Sequence, residues 1–401
     1  MVAALGVLGI ALYFSQAYLY FFSVGMTPVA PVHWYLLTLA LGSVALLRDV
    51  RLGKYITHSR SLLAWAAAFT FIMAISFVVS VPGRLADDDP LQTLISKQEM
   101  VLLLIMFTLI YQARAALEVT TKLLVLVTLI STIINLAEFT IAGIEFSSVA
   151  GRSAGLYVDS NLSGTMLVAG MLLSTLRVPT RFRIAYCVFV GIGVLVTFSR
   201  SALLLWTAAF IGMLAFGWLT IYRKAAVATA IIGLVMAAHA MNTGGWVSAF
   251  EMAGAGDLLT TNTRARIGDS FLDQQDFSKA EREAVALRAF DEWRKAPILG
   301  NGIGYSGRYP VRSHNQYLDV ASDMGTVGLI AVMALLTLLW CSGTEVGILF
   351  GNHLFISNFF SHNNLEFAAV QIAIALALST SWKDVARLKL SLGFSGAARP
   401  A

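Results

Sequence analysis

Long apolar runs constrain this chain more than any other feature. No charged residue occurs from Ser61 to Val81, and runs of similar character recur between residues 3 and 382. A helix needs roughly 20 apolar residues to cross about 30 Å of hydrocarbon, and several runs approach that length. Backbone groups in lipid must be satisfied internally, which leaves helices or closed barrels. Barrel strands are shorter and alternate in polarity, so helices are expected. Composition agrees: 57% of the 401 residues are hydrophobic and 13% are charged, against about 25% charged in a soluble domain. The expected class is an all-α integral membrane protein. The first run has no basic region before it, as an uncleaved span would not. Cys187 and Cys341 both lie in apolar runs and fit neither a metal spacing nor a disulfide framework.

The pattern predicts about twelve transmembrane helices, near 3–24, 29–47, 61–81, 98–113, 121–143, 161–177, 182–198, 201–221, 225–241, 317–341, 345–361 and 365–382. This divides the chain into nine spans over 1–241, a long loop over 242–313, three spans over 314–382 and a basic tail over 383–401. Lys and Arg in the connections orient such a bundle. Alternate connections and the tail carry Arg48, Arg51, Lys54, Arg60, Arg114, Lys122, Arg177, Arg181, Arg183, Arg223, Lys224, Lys383, Arg387, Lys389 and Arg399. These are 15 of the 28 basic residues, and they set that side, with both termini, in the cytoplasm. The opposite connections hold only Arg84, Lys97, Arg152 and Arg200, with the acidic run Asp87-Asp88-Asp89. That run reads as an external turn, or as a divalent-ion ligand set.

The remaining nine basic residues lie in 242–313, external on this topology. Loops of such length are functional or disordered, and here helical signals favour order. Ser278-x-x-Glu281 is a capping-box pattern, and Lys279 to Lys295 contains neither Gly nor Pro, with Pro297 and Gly300 beyond it. Ala284, Leu287, Phe290 and Trp293 supply apolar surface for the membrane or the bundle. Seven of the nine are arginines: Arg264, Arg266, Arg282, Arg288, Arg294, Arg308 and Arg312. Arginine's planar fork suits bidentate phosphate binding, although Glu281, Glu283, Asp291 and Glu292 nearby allow a solvated, ion-paired surface.

Arg152 and Arg200 are sharper signals, because short external hinges should avoid arginine unless it meets a partner. Arg152 sits in Gly151-Arg152-Ser153-Ala154-Gly155, ahead of Asp159-Ser160-Asn161, and Arg200 in Phe198-Ser199-Arg200-Ser201. Snorkelling to headgroups is the plain account; a receiver for an anionic lipid phosphate or diphosphate is the functional one. Among the six histidines, His33, His239 and His353 fall in or beside apolar spans, and His58 in a basic connection. His362 sits at another external helix mouth. His314 differs because His314-Asn315 is followed, after nine residues, by Gly325-Thr326-Val327-Gly328.

This pattern resembles the bacterial O-antigen ligase family, within the wider superfamily of polysaccharide ligases and polymerases. Its His-Asn, nine residues, Gly-x-x-Gly motif is matched throughout. Gly151-Arg152 through Asp159-x-Asn161 resembles the family's Arg-Gly-Asp/Asn-Asn segment. Thr197 to Ser201 is similar to its Ser-Arg hinge, and Pro297 to Gly302 to its Pro-x-x-Gly-x-Gly element. The resemblance covers roughly residues 145–330. Asp323 stands where the family often has Glu, a carboxylate to orient His314. The family's loop arginine corresponds best to Arg282, with Arg288 the alternative and Arg264 and Arg266 still open.

The resemblance implies transfer of a glycan from undecaprenyl diphosphate to a hydroxyl of lipid A–core at the periplasmic face, with the bilayer itself as a partner. Chemistry fits those needs. Fixed arginines stabilise a diphosphate leaving group best in a partly dry site, and a histidine of ordinary pKa, about 6.5, serves as a base at neutral pH. His314 is therefore the expected general base, with Arg282 and Arg288 as diphosphate binders from the loop. Arg152, Arg200, Asp159, Asn161 and Asn315 are the expected substrate-binding residues. No metal or other cofactor is required, no nucleic-acid partner is implied, and no Walker-type loop for ATP occurs. A polysaccharide polymerase and a protein O-oligosaccharyltransferase are alternatives in the same superfamily. An anionic-lipid transporter is the alternative from another class, with Glu138 and His353 as its intramembrane candidates.

Overall fold

The computed structural model describes residues 1–80, 89–141, 144–148, 151–219, 277–308, 312–361 and 363–380, with the backbone alone for 277–282. Among these residues the chain forms fourteen α-helices and no strand. They are α1 (Val2–Leu8), α2 (Ala17–Ser23), α3 (Pro31–Leu47), α4 (Leu52–His58), α5 (Arg60–Val79), α6 (Pro90–Tyr111) and α7 (Arg114–Thr140). There follow α8 (Ser160–Ser174), α9 (Arg183–Leu195), α10 (Arg200–Ala215), α11 (Phe277–Lys295), α12 (Gln316–Trp340), α13 (Glu345–Ser357) and α14 (Ala368–Ser379). A π-helical stretch, Gly9–Phe14, continues α1.

Among the described residues four helices, α5, α6, α7 and α12, are long and apolar enough to cross a membrane. The pair formed by Val2–Phe14 and α2, bent by 46°, makes a fifth if counted as one span. The other expected spans are shorter where they are described, and 225–241 lies outside the described residues. Two of the shorter helices lie inside the bundle. α14 is apolar but for Gln371 and Ser379 and buried along nearly its whole length, and α8 is buried at every position but Asn161; both are enclosed by other helices rather than by lipid. Phe71, Val78 and Ile330, by contrast, are more than half exposed. Apolar side chains on that scale suit hydrocarbon and not water.

Helix edges depart from expectation for local reasons. α6 begins at Pro90, well before the expected residue 98, because Asp89 caps it: its carboxylate accepts from Leu91 N at 2.9 Å, with Pro at the first helical position. The polar residues that seemed to end the span, Gln92, Thr93, Ser96 and Lys97, instead line an open cavity between helices. Asp89 is thus a helix cap; Asp87 and Asp88 lie outside the described residues. α11 ends at Lys295 as expected, but Leu287 and Phe290 are exposed. Val285 and Glu292 are buried in their place. Glu292 accepts from Lys295 Nζ at 2.7 Å and from Tyr305 Oη at 2.8 Å, which ties α11 to the loop behind it.

Candidate functional site

Backbone strain marks four places along the described chain. Four non-glycine residues have positive φ: Gln16, Val158, Phe198 and His314. For a β-branched residue such as Val158, at φ +63°, this is a true outlier. Such conformations cost about 1–3 kcal/mol each and persist only where the surroundings enforce them. Three of the four directly precede a helix N-cap. Asp159 accepts from Leu162 N at 2.7 Å and starts α8. Ser199 accepts from Ala202 N at 3.4 Å and starts α10. Asn315 accepts from Tyr317 N at 3.0 Å and Leu318 N at 3.2 Å and starts α12. Asp159 and Asn315 are therefore helix caps, whatever else they do.

These three N-termini share one end of the bundle. A Cβ added at Gly164 of α8 would sit 2.5 Å from Ala202 Cβ of α10, so the two helices touch within their first turns. α10 runs antiparallel to α13, because Gly212 packs on Leu349 and Trp218 Nε1 donates to Glu345. The last residues of α13 consequently lie near the start of α10. Gln316 N donates to Asn358 O at 2.8 Å, which docks the start of α12 there too. Three helix N-termini carry partial positive charge and orphan N–H groups toward one surface, a setting that favours anions.

Arg152 belongs to this surface but is only 6% exposed. Its Nε donates to Thr197 O and its Nη2 to Asn161 Oδ1, both at 2.9 Å. A side chain so held does not snorkel to headgroups. The loop carrying it is pinned by Glu138, whose Oε1 accepts from Phe146 N (2.8 Å) and Ser147 N (2.7 Å) and whose Oε2 accepts from Ala154 N (2.7 Å) and Gly155 N (2.8 Å). Glu138 is thus an anchor for the Arg152 loop. Arg200 is the first residue of α10 and half-buried.

His314 is exposed at φ +49°, between Ser313 and the capping Asn315. Its helix is broken at Gly325, where φ +66° and ψ −161° interrupt the ladder. The Pro297–Gly302 segment fills that break. Thr326 N donates to Pro297 O at 2.8 Å and Val327 N to Ile298 O at 3.3 Å. Asn301 N donates to Ser322 O at 2.9 Å and Gly302 N to Asp323 O at 3.0 Å. Four backbone groups freed by the kink thereby regain partners. The Asp323 carboxylate accepts from Gly304 N (3.2 Å) and Ser306 N (2.6 Å), so it anchors this loop.

Between α6 and α12 lies a polar cavity of about 240 Å³, lined by residues that include Asp89, Thr93, Lys97, Arg312, Asp319 and Glu366. Lys97 Nζ pairs with Glu366 Oε1, and Arg312 Nη1 lies 4.0 Å from Glu366 Oε2. Asp319 is 5% exposed and bonds Ser313 Oγ through Oδ1. Its Oδ2 is buried without a hydrogen-bond partner. Lys97, Asp319 and Glu366 are site-end residues that sequence reasoning passed over. The signal was available, since an ionisable residue within an apolar span is by default a functional candidate.

Other expected residues fall elsewhere. Arg288 lines an open concavity along α11 with Asp291, Arg294 and Lys295. Arg282 lies on α11, where only the backbone is described, and Arg264, Arg266, His239 and His362 lie outside the described residues. His353 is buried and stacked on Phe350, whereas His33 is exposed and has no core role. No group of three or more His, Cys, Asp or Glu suited to a metal occurs among the described residues.

The fold and these features define an all-helical membrane protein whose polar, strained residues gather at one end of the bundle. Residues 185–333 match the model of the O-antigen ligase family. That segment contains Arg200, the Pro297–Gly302 element and the whole His314 to Gly328 motif, while the Arg152 loop precedes it. No curated protein matches the chain.

Proposed function

We propose that this protein is a glycosyltransferase that moves a glycan from undecaprenyl diphosphate onto lipid A–core, at the periplasmic face of the inner membrane. The observation that carries the reading is a strained, exposed His314 at the same bundle end as a buried, rigidly held Arg152. The family match supports a lipid-linked glycan as substrate. The basic connections that include Arg177, Arg181 and Arg183 support a cytoplasmic assignment for the opposite end and for both termini.

In the proposed reaction His314 takes the proton from an acceptor hydroxyl. The oxygen attacks the anomeric carbon of the donor sugar as the bond from that carbon to the diphosphate oxygen breaks. Both electrons of that bond leave with undecaprenyl diphosphate, and direct displacement inverts the anomeric centre. Arg152 and Arg200 receive the growing charge, with Arg282 or Arg288 approaching from the loop. Asn161 steadies Arg152. Asp159 and Asn315 hold the helix starts that carry the arginines and the histidine. A preorganised cation acts without reorganising at the moment of bond breaking, which is where its advantage over water arises.

The test is purified His314→Ala protein given lipid-linked glycan and lipid A–core. Glycan should remain on the carrier while the variant folds and inserts normally; normal transfer would remove His314 from the mechanism. The same assay without lipid A–core separates ligation from polymerisation. Chain extension in that arm would overturn the ligase reading in favour of a polymerase.

A further inference from the structure

We infer that the cavity between α6 and α12 is a subsite for one sugar residue of the acceptor, recognised chiefly by Asp319; this deepens the transfer reading above and rests on it. At about 240 Å³ the cavity falls just below the roughly 300 Å³ at which drug-sized pockets begin. It admits a single ring and not an oligosaccharide.

The charges on its wall decide what that ring can carry. Four carboxylates, Asp89, Asp319, Asp323 and Glu366, face two cations, Lys97 and Arg312. Both cations are directed at Glu366, and both oxygens of Asp323 accept backbone N–H groups. Asp319 is left with a buried Oδ2 that accepts nothing. Asp319 Oδ2 therefore lacks a donor, on a wall where carboxylates outnumber cations. A phosphate or diphosphate brings only acceptors and more negative charge, so it is excluded here and directed to the Arg152 side. A bound divalent ion is disfavoured because the acidic groups do not converge in a metal-binding cluster among the described residues.

A sugar hydroxyl resolves both demands. Each hydroxyl donates one hydrogen bond and accepts others. One can satisfy Asp319 Oδ2 while its neighbours accept from Lys97, Arg312 or Gln92, which share the same wall. The position suits the acceptor. Arg312 and Gln316 line the cavity and flank His314 by two residues on either side. Ser313, next to His314, is itself bonded to Asp319. A sugar seated there presents a further hydroxyl toward the base, while the donor diphosphate keeps to the cationic side.

The experiment uses the full chain in nanodiscs and a panel of neutral and 2-amino methyl hexopyranosides, read by saturation-transfer NMR. Wild-type protein should bind at least one glycoside saturably. Asp319→Asn should weaken that binding about ten- to a hundredfold, the loss expected for a hydrogen bond to a charged group. In transfer assays it should raise KM for lipid A–core and leave KM for the lipid-linked donor unchanged. Ser96→Leu, which fills the cavity without removing a charge, should do the same and serves if Asp319→Asn fails to fold. Absence of saturable glycoside binding, unchanged binding in a folded variant, or displacement of the glycoside by spermidine (a cation site) would each overturn the subsite. Glycoside binding in a protein that transfers to no acceptor would uphold the subsite and remove the transferase reading. Transfer with an unaltered acceptor KM in Asp319→Asn would do the reverse.

Discussion

Gly325→Ala should be among the most damaging single-methyl additions to this protein. At φ +66° and ψ −161° the residue occupies a region that is almost exclusively glycine's, and an alanine there costs about 1–3 kcal/mol. The added Cβ would lie 2.2 Å from Ile298 O, 2.4 Å from Ile298 C and 2.6 Å from Gly300 N. All three are backbone atoms, so no rotamer change relieves the overlap. Restoring ordinary contact requires the Pro297–Gly302 segment to move by about 1 Å, which stretches the bonds from Thr326 N to Pro297 O (2.8 Å) and from Gly302 N to Asp323 O (3.0 Å) past useful length. Losing two backbone bonds adds about 1 kcal/mol each, for a total of about 3–5 kcal/mol. The measurement is the thermal midpoint of the detergent-purified protein, with transfer activity alongside. The midpoint should fall by several degrees and activity by at least tenfold, since His314 directly precedes the cap of the same helix. Gly53→Ala is the control. Nothing lies within 4 Å of the added carbon on exposed α4, so it should stabilise by roughly 0.5–1 kcal/mol. Wild-type stability and rate in Gly325→Ala would refute the account of the kink as a lock.

Glu138→Gln keeps size but presents an amide donor to two of the four N–H groups now held by carboxylate; we expect a loss of about 2–4 kcal/mol and weaker donor binding, and unchanged affinity for a lipid-linked glycan would refute the anchoring role. Arg152→Lys retains charge but cannot reach Thr197 O and Asn161 Oδ1 together, so transfer should drop at least tenfold; a wild-type rate would show that charge alone suffices. His314→Gly should melt above His314→Ala by about 1 kcal/mol, because glycine bears positive φ without strain, while both lack transfer. Equal midpoints would mean that position 314 is not strained in solution.

Much of the site end was legible because its signals are local. A helix start is written in a few adjacent residues, and the motifs that hold Arg152, Arg200 and His314 each include or run up to a capping side chain, Asp159, Ser199 or Asn315. The interval from His314-Asn315 to Gly325 is the length of helix between its cap and its break. What was not legible depends on residues far apart in the chain. Glu138 read as an ionisable residue in a span, and only the return of the chain at 144–155 supplies its four donors. Lys97 read as one more external charge, and its partner Glu366 lies 269 residues later. Asp323 read only as the counterpart of the family's Glu, and its closure on Gly304 and Ser306 came from the fold.

By itself the sequence determined the solvent this protein lives in, its all-helical class and the identity of the residues that can bear charge at one face. Apolar run length and backbone satisfaction in lipid allow little else. Tertiary structure alone decided which helices enclose others, how the Pro297–Gly302 segment repairs the break at Gly325, and how the charges at that end separate. A buried Arg152 stands on one side and an acid-rich cavity with an unsatisfied Asp319 on the other. Burial and pairing depend on which elements meet, and those contacts join residues that no local pattern connects.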